Sequence, residues 1–227
     1  MNRTEYILKK AIIPAVILLT IGSAFSCEKS TAPAYSARGI AWDVLYFIFP
    51  PIEGAVIRIV EYPKMIAIAD SNGHFSFDGL SNGSKVTFSV SKPGYYPYYS
   101  ETFTIENKDL EPVATQIPSI GMYHVFAAAS ETIPKEGRGF IASTVSTRDP
   151  NTFTDMGFPG EPGCTVTIEP ALPASLGPIY FDENTIPRRY LTATTGDGGV
   201  LYVNVPPGEY TLYAHKDGIT FRPVQVK

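Results

Sequence analysis

Residues Ala69 to Tyr95 read ADSNGHFSFDGLSNGSKVTFSVSKPGY, and this stretch decides the fold. Ser71, Asn72 and Gly73 form a turn cluster, after which Phe75 and Phe77 alternate with His74, Ser76 and Asp78. A second cluster from Asp78 to Gly83 precedes Val86, Phe88 and Val90, again alternating. Period-two alternation sends all side chains of one parity to the same face of a strand. Phe75 and Phe77 therefore share one face and Val86, Phe88 and Val90 share another, so two strands joined as a hairpin or corner can close on one core. The same pattern returns near the C-terminus as TGDGGVLYVNVPPGEYTLYAHKDGI, with Leu201 and Val203 before a Pro-Pro-Gly turn and Tyr210, Leu212 and Ala214 after it. Two related units are expected.

Composition agrees. The chain has 227 residues, 44% of them hydrophobic, enough for one or two ordinary cores. Its 20 Pro and 19 Gly are scattered and accompany 14 Tyr and 13 Phe, the mixture that short strands and tight turns require. The expected class is all-β. Only 18% of residues are charged and the net charge is -4, so no basic stripe is present to track nucleic-acid phosphates.

Arg3, Lys9 and Lys10 precede an apolar run from Ala11 to Ala24, and Ser26 stands just before Cys27. A positive n-region, a short apolar h-region and small residues at its end make a secretory signal over 1–26. The run is shorter than the roughly twenty apolar residues a permanent membrane helix needs. Ala24-Phe25-Ser26-Cys27 resembles the lipobox of bacterial lipoproteins, with Ala24 where an aliphatic residue such as Leu is usual. That resemblance implies lipidation at Cys27 and a place in the cell envelope, at the outer membrane or cell surface. Ala24-x-Ser26 also fits an ordinary signal-peptidase site, which would yield a secreted protein. After it, 27–36 (CEKSTAPAYS) is polar and unpatterned, as a flexible tether would be. Cys164, the second of two Cys, alternates with Val166 and Ile168; it is either a small buried side chain or the partner of an unlipidated Cys27.

From 37 to 119 strands recur every eight to twelve residues or so, the spacing of a sandwich. Ile40, Trp42 and Val44 alternate, Pro50 and Pro51 break the run, and Ala55, Ile57 and Ile59 open the next strand. Pro51-Ile52-Glu53-Gly54-Ala55-Val56, Ala69-Asp70-Ser71-Asn72-Gly73-His74-Phe75, Gly79-Leu80 and Lys92-Pro93-Gly94-Tyr95 follow one another in an order that resembles the carboxypeptidase regulatory-like domain. The resemblance implies a transthyretin-like, Ig-like β-sandwich of about seven strands without catalytic residues of its own. It leaves function open, because such modules accompany carboxypeptidases, outer-membrane receptors and surface lipoproteins alike. Gly73 and Gly83 suit positive-φ turn positions, and Asp70 and Asn72 can bond their own turn backbone. Asp70, Asn72 and Asp78 would otherwise offer oxygens to calcium, but the terminal bidentate Glu of a calcium loop is missing.

Residues 120–136 read as a linker with an edge strand around Tyr123 to Ala127, and 137–227 as a second, diverged sandwich. Gly160-Glu161-Pro162-Gly163 before a Thr-Val-Thr-Ile strand parallels Pro51-Ile52-Glu53-Gly54 before Val56. Between Pro170 and Arg189 the second copy carries an insertion that contains Tyr180 and Asp182; inserted loops are disproportionately functional, so both are candidate binding residues. In the first copy the candidates are Tyr96 and Tyr98 of Tyr95-Tyr96-Pro97-Tyr98-Tyr99, projecting outward while Tyr95 and Tyr99 face the core. Exposed rings beside a rigid Pro suit sugar stacking or protein anchoring.

The three His, in GHFSF, YHVFA and AHKDG, form no zinc motif, and no nucleophile elbow, phosphate loop or dinucleotide fingerprint is present. Neither a metal nor a cofactor is expected. The reading is a non-catalytic envelope lipoprotein that binds a glycan or protein. A structural spacer or assembly subunit of an envelope complex is the second reading, and an accessory module of a hydrolase the third.

Overall fold

The structure is a computed structural model that describes residues 33–44, 50–147 and 160–227. The signal segment 1–26, Cys27 and most of the tether lie outside the described residues. Among the described residues no helix is long and apolar enough to cross a membrane.

The chain is all-β, as its alternation requires. In the N-terminal half, β1 (Ala34–Asp43), β4 (His74–Ser81) and β7 (Leu110–Ile117) form one sheet in the order β4-β1-β7, with β1 antiparallel to β4 and parallel to β7. The facing sheet is β3-β2-β5-β6, all antiparallel, from β2 (Val56–Ile59), β3 (Tyr62–Ile68), β5 (Lys85–Ser91) and β6 (Tyr98–Thr104). The stretch Ala69 to Tyr95 is thus a corner: β4 belongs to one sheet and β5 to the other. Their inward residues meet across the sandwich, the Phe88 ring lying 5.3 Å from Phe75 and 5.9 Å from Phe77. Phe75, Phe77, Val86, Phe88 and Val90 are all buried.

The turn before β4 is held locally. Asp70 Oδ1 accepts from the amides of Asn72 (2.8 Å) and His74 (2.9 Å). Gly73 follows at φ +77°, where a Cβ would lie 2.5 Å from the carbonyl oxygen of Ala41. A turn bond to its own backbone and a left-handed glycine are sufficient reasons for these residues. No group of three or more metal-ligating side chains occurs among the described residues.

Residues Ile120–Ala129 form a helix, α1, and not the edge strand expected around Tyr123 to Ala127. Ser119 caps it, accepting from the amide of Met122, and Ala127 to Ala129 supply the strongest helix-forming residue type. The remaining strands are β8 (Gly139–Thr144), β9 (Thr165–Glu169), β10 (Ile179–Phe181), β11 (Pro187–Arg188), β12 (Gly199–Val205), β13 (Tyr210–His215) and β14 (Val224–Val226). They pair as β11-β10-β12-β8 and β14-β13-β9. Every residue of β12 is buried because both its faces are covered. Val200 and Tyr202 face the core shared with Cys164, Val166 and Leu212, whereas Leu201 and Val203 pack with Ile179, Phe181, Phe126 and Phe140 on the other side. The Phe126 ring meets Phe181 edge-on at 5.7 Å, so the joining segment supplies the outer layer of this sheet.

The two halves also meet directly. Arg222 makes a bidentate pair with Glu101 (2.6 and 2.8 Å), and Lys227 reaches Glu61 at 2.8 Å. The paralleled turns keep their geometry, Gly54 at φ +69° before β2 and Gly163 at φ +75° before β9.

Candidate functional site

The Tyr95 to Tyr99 segment divides differently from strict alternation. Tyr95 turns inward and donates to Asp43 Oδ2 at 2.7 Å; burial, then that hydrogen bond, pushes its pKa up to about 12. Tyr96 is exposed (43%) as expected. Tyr98 is not: it packs against the N-terminal core, where burial and the charge of Glu101 push its phenol pKa up, while Tyr99 is half exposed (50%). The outward pair expected at Tyr96 and Tyr98 is therefore corrected to Tyr96 and Tyr99. The cause is the break at Pro97: β6 begins at Tyr98, and the pleat counts from there.

The insertion is also structural in large part. Tyr180 is 2% exposed and lies in β10, its hydroxyl accepting from the amide of Val166 at 2.9 Å. Tyr202 donates to the carbonyl of the same Val166 at 3.2 Å. Because β9 is the edge of its sheet, two tyrosines from the opposite sheet close its free backbone groups at this point. Asp182 forms a turn, accepting from the amides of Asn184 (2.9 Å) and Ile186 (3.1 Å) and pairing with Arg188 at 2.8 Å. Burial works against its ionisation, but the Arg188 and amide hydrogen bonds outweigh it and hold the carboxyl below its ordinary value. At the end of the insertion Arg189 donates to the carbonyl of Ser130 (2.7 Å) and to Thr132 Oγ1 (3.0 Å), a cation at the C-terminus of α1. Cys164 is fully buried with a free thiol, and burial pushes its pKa up.

What the structure does bring together is an aromatic row that sequence reading only half located. Tyr96, on the connection into β6, lies 4.6 Å from the Tyr123 ring of α1; Tyr123 lies 4.4 Å from Phe140 of β8 at an interplanar angle of 30°. His124 flanks both tyrosines, at 6.4 Å and 5.7 Å. Tyr96 and His124 are exposed, Tyr123 and Phe140 half-buried. Burial and the neighbouring Tyr96 push the Tyr123 pKa up, so its hydroxyl stays a neutral donor and acceptor. Rings of this kind offer flat apolar faces with polar tips and no formal charge. Tyr123 and His124 were hidden by the strand reading of their segment; the Ser119 cap and the Ala triplet were the signals that place them on a helix instead.

These features define an all-β sandwich protein with a surface aromatic row. No family model and no curated protein matches this chain. Among solved structures it is similar to the Bacillus anthracis TIE protein, at 13% identity over 86% of this chain and 31% of that one, with a TM-score of 0.30. It is similar also to a streptococcal ancillary pilin, at 12% identity over 85% of this chain and 58% of that one, TM-score 0.28. A third is a Bacteroides uniformis protein provisionally described as carbohydrate binding, at 10% identity over 86% of this chain and 97% of that one, TM-score 0.30. The chain thus spans less than a third of the first and somewhat over half of the second. At these scores the fold rests on the strand register itself.

Proposed function

We propose that this protein is a non-catalytic cell-envelope lipoprotein, anchored through Cys27, that holds a neutral glycan on the row Tyr96, Tyr123, His124 and Phe140. The observation that carries the reading is the convergence of three separate segments, which place Tyr96 4.6 Å from Tyr123 and Tyr123 4.4 Å from Phe140. Sugar rings present apolar C–H faces ringed by hydroxyls, and an uncharged aromatic row with phenol and imidazole tips matches both features. The N-terminal sandwich, with its three- and four-stranded sheets and the turn at Asp70 to Gly73, supports the resemblance to the carboxypeptidase regulatory-like domain. The lipid anchor rests on the sequence at Ala24 to Cys27 alone.

Binding of the full chain to an array of neutral polysaccharides tests the site. Tyr96→Ala should weaken binding about tenfold or more, since an anchor whose truncation costs about 1.4 kcal/mol or above changes affinity by that factor. Its unfolding free energy should stay within about 0.5 kcal/mol of the parent's, the range of surface substitutions. Undiminished binding in Tyr96→Ala, or a parent chain that retains no polysaccharide, refutes the reading.

A further inference from the structure

The β3 edge is open. Among the described residues β3 pairs with β2 alone, and it ends its sheet. Ala69 donates to the carbonyl of Ala55 and accepts from the amide of Gly54. Backbone groups alternate in direction along a strand, so Ala67 and Ala69 turn theirs toward β2 while Ile66 and Ile68 aim theirs outward from the edge; before Ile66 the register shifts, Ile59 pairing with Tyr62, and Lys64 continues the alternation of exposed side chains. The same outward residues carry an apolar stripe on the solvent face, Ile66 at 53% and Ile68 at 68% exposure, whereas Met65 and Ala67 pack inward. Past Pro63 and the register shift, the Ile66 to Ile68 part of the edge sets outward donors and acceptors beside exposed β-branched side chains, a template for another strand.

Lys64 bears on the choice of partner. A lysine on an edge ordinarily discourages pairing, unless the incoming strand places a carboxylate opposite. This chain carries one at the right spacing: Asp70, exposed, two residues past the end of β3. Hydrogen bonds from the amides of His74 and Asn72 hold its carboxyl below the ordinary range, so it is ionised. Antiparallel pairing of β3 with itself about a two-fold axis permits three central registers. An axis at Ile66 sets Lys64 against Ile68, and one at Ile68 sets Ile66 against Asp70. An axis at Ala67 sets Ile66 against Ile68 twice and Lys64 against Asp70 twice.

We propose that β3 pairs with β3 of a second copy of this chain, antiparallel about a two-fold axis at Ala67, so that the two four-stranded sheets join edge to edge. The interface is isologous: each subunit supplies Ile66 and Ile68 to the apolar pairs and both members of the charge pairs. It is independent of the aromatic row, which lies on other elements.

Cysteine cross-linking reads the register directly. In the full chain carrying Cys27→Ser, with Cys164 fully buried, the introduced thiols are the reactive ones. Ile66→Cys and Ile68→Cys should each remain uncross-linked alone under mild oxidation and should form a disulfide dimer when mixed, because opposed residues lie within the Cα separation a disulfide spans. Separately, the parent should show concentration-dependent dimerisation by sedimentation. Ile68→Lys should weaken that dimer at least about tenfold while leaving unchanged the melting temperature measured at a dilution where both proteins are monomeric. A parent that sediments as a monomer throughout a series reaching high-micromolar concentration overturns the proposal. So does a dimer that survives Ile68→Lys. Cross-linking of Ile66→Cys with itself overturns the register. Equal cross-linking of Glu209→Cys, an exposed site on the C-terminal half, shows collision only and overturns the pairing as well.

Discussion

Replacing Tyr180 by Phe separates the structural from the binding role of the insertion. The ring stays, so the packing of β10 against the C-terminal core is conserved and only the hydroxyl is lost. That hydroxyl is the acceptor for the amide of Val166, a residue 4% exposed, at 2.9 Å. Water cannot reach the amide to replace it, so the substitution incurs the cost of a buried unsatisfied donor, about 1–3 kcal/mol. For a chain of this length about 2–4 °C of melting temperature accompany each kcal/mol, giving a fall of roughly 2–12 °C. Tyr202→Phe removes the donor to the carbonyl of the same residue and should cost less, because under-satisfied carbonyls are tolerated better than orphaned amides. Since both hydroxyls act on Val166, the double variant should depart from additivity by about 0.5 kcal/mol or more. Urea or thermal melts of the four proteins measure this. A Tyr180→Phe variant as stable as its parent refutes the edge-closing role, and one that keeps its stability but loses ligand binding would return Tyr180 to the surface.

Alkaline pH should unfold the chain earlier than lysine titration alone would. Tyr95 and Tyr202 both have pKa values pushed up to about 12, Tyr202 by burial and then by the neighbouring Tyr180. A raised folded-state value means their contribution is complete below the unfolded value near 10 and is lost as pH rises toward 12, which spectroscopic tyrosine titration against circular dichroism would follow. If the anchor at Cys27 is as proposed, Cys27→Ser should abolish partitioning into the detergent phase; equal partitioning of variant and parent refutes it.

Legibility in the sequence followed local determinism. Phe75, Phe77, Val86, Phe88 and Val90 could be placed because period-two alternation ran without interruption between glycine turns, and all five are buried. Asp70 could be read as a turn former, since an Asx turn needs only residues two to four positions away, and Asp182, read as a candidate binding residue, makes a turn of the same kind. Tyr98 and Tyr99 exchanged faces because Pro97 resets the pleat, and nothing local says on which residue the next strand begins. Tyr180 was misplaced for a different reason. Ile179, Tyr180 and Phe181 are buried on both faces of a three-residue strand, which leaves no alternation to read, and its hydroxyl partner is on β9. The aromatic row was half visible for the same cause: Tyr96 announces itself by its turn, whereas Tyr123 and Phe140 join it only through the packing of α1 on the second sheet pair.

The treatment of sheet edges connects these observations to assembly. Where β9 ends its sheet, two buried tyrosines are committed to one peptide unit, and burying a phenol is worthwhile only if its hydroxyl finds a partner. Where β6 ends its sheet, β14 lies alongside and the Arg222 to Glu101 pair bridges the gap. Both edges are thus answered from within the chain, one by hydrogen bonds and one by a neighbouring strand with a charge pair. The β3 edge has neither among the described residues, yet it has the longest exposed apolar stripe of the three, at Ile66 and Ile68. The start of β3 carries the usual deterrents to pairing, Pro63, Lys64 and a register shift, whereas Ile66 and Ile68 carry none. One lysine placed where a second copy presents an aspartate admits one register and disfavours others, which is how an edge selects a partner while still resisting indiscriminate pairing.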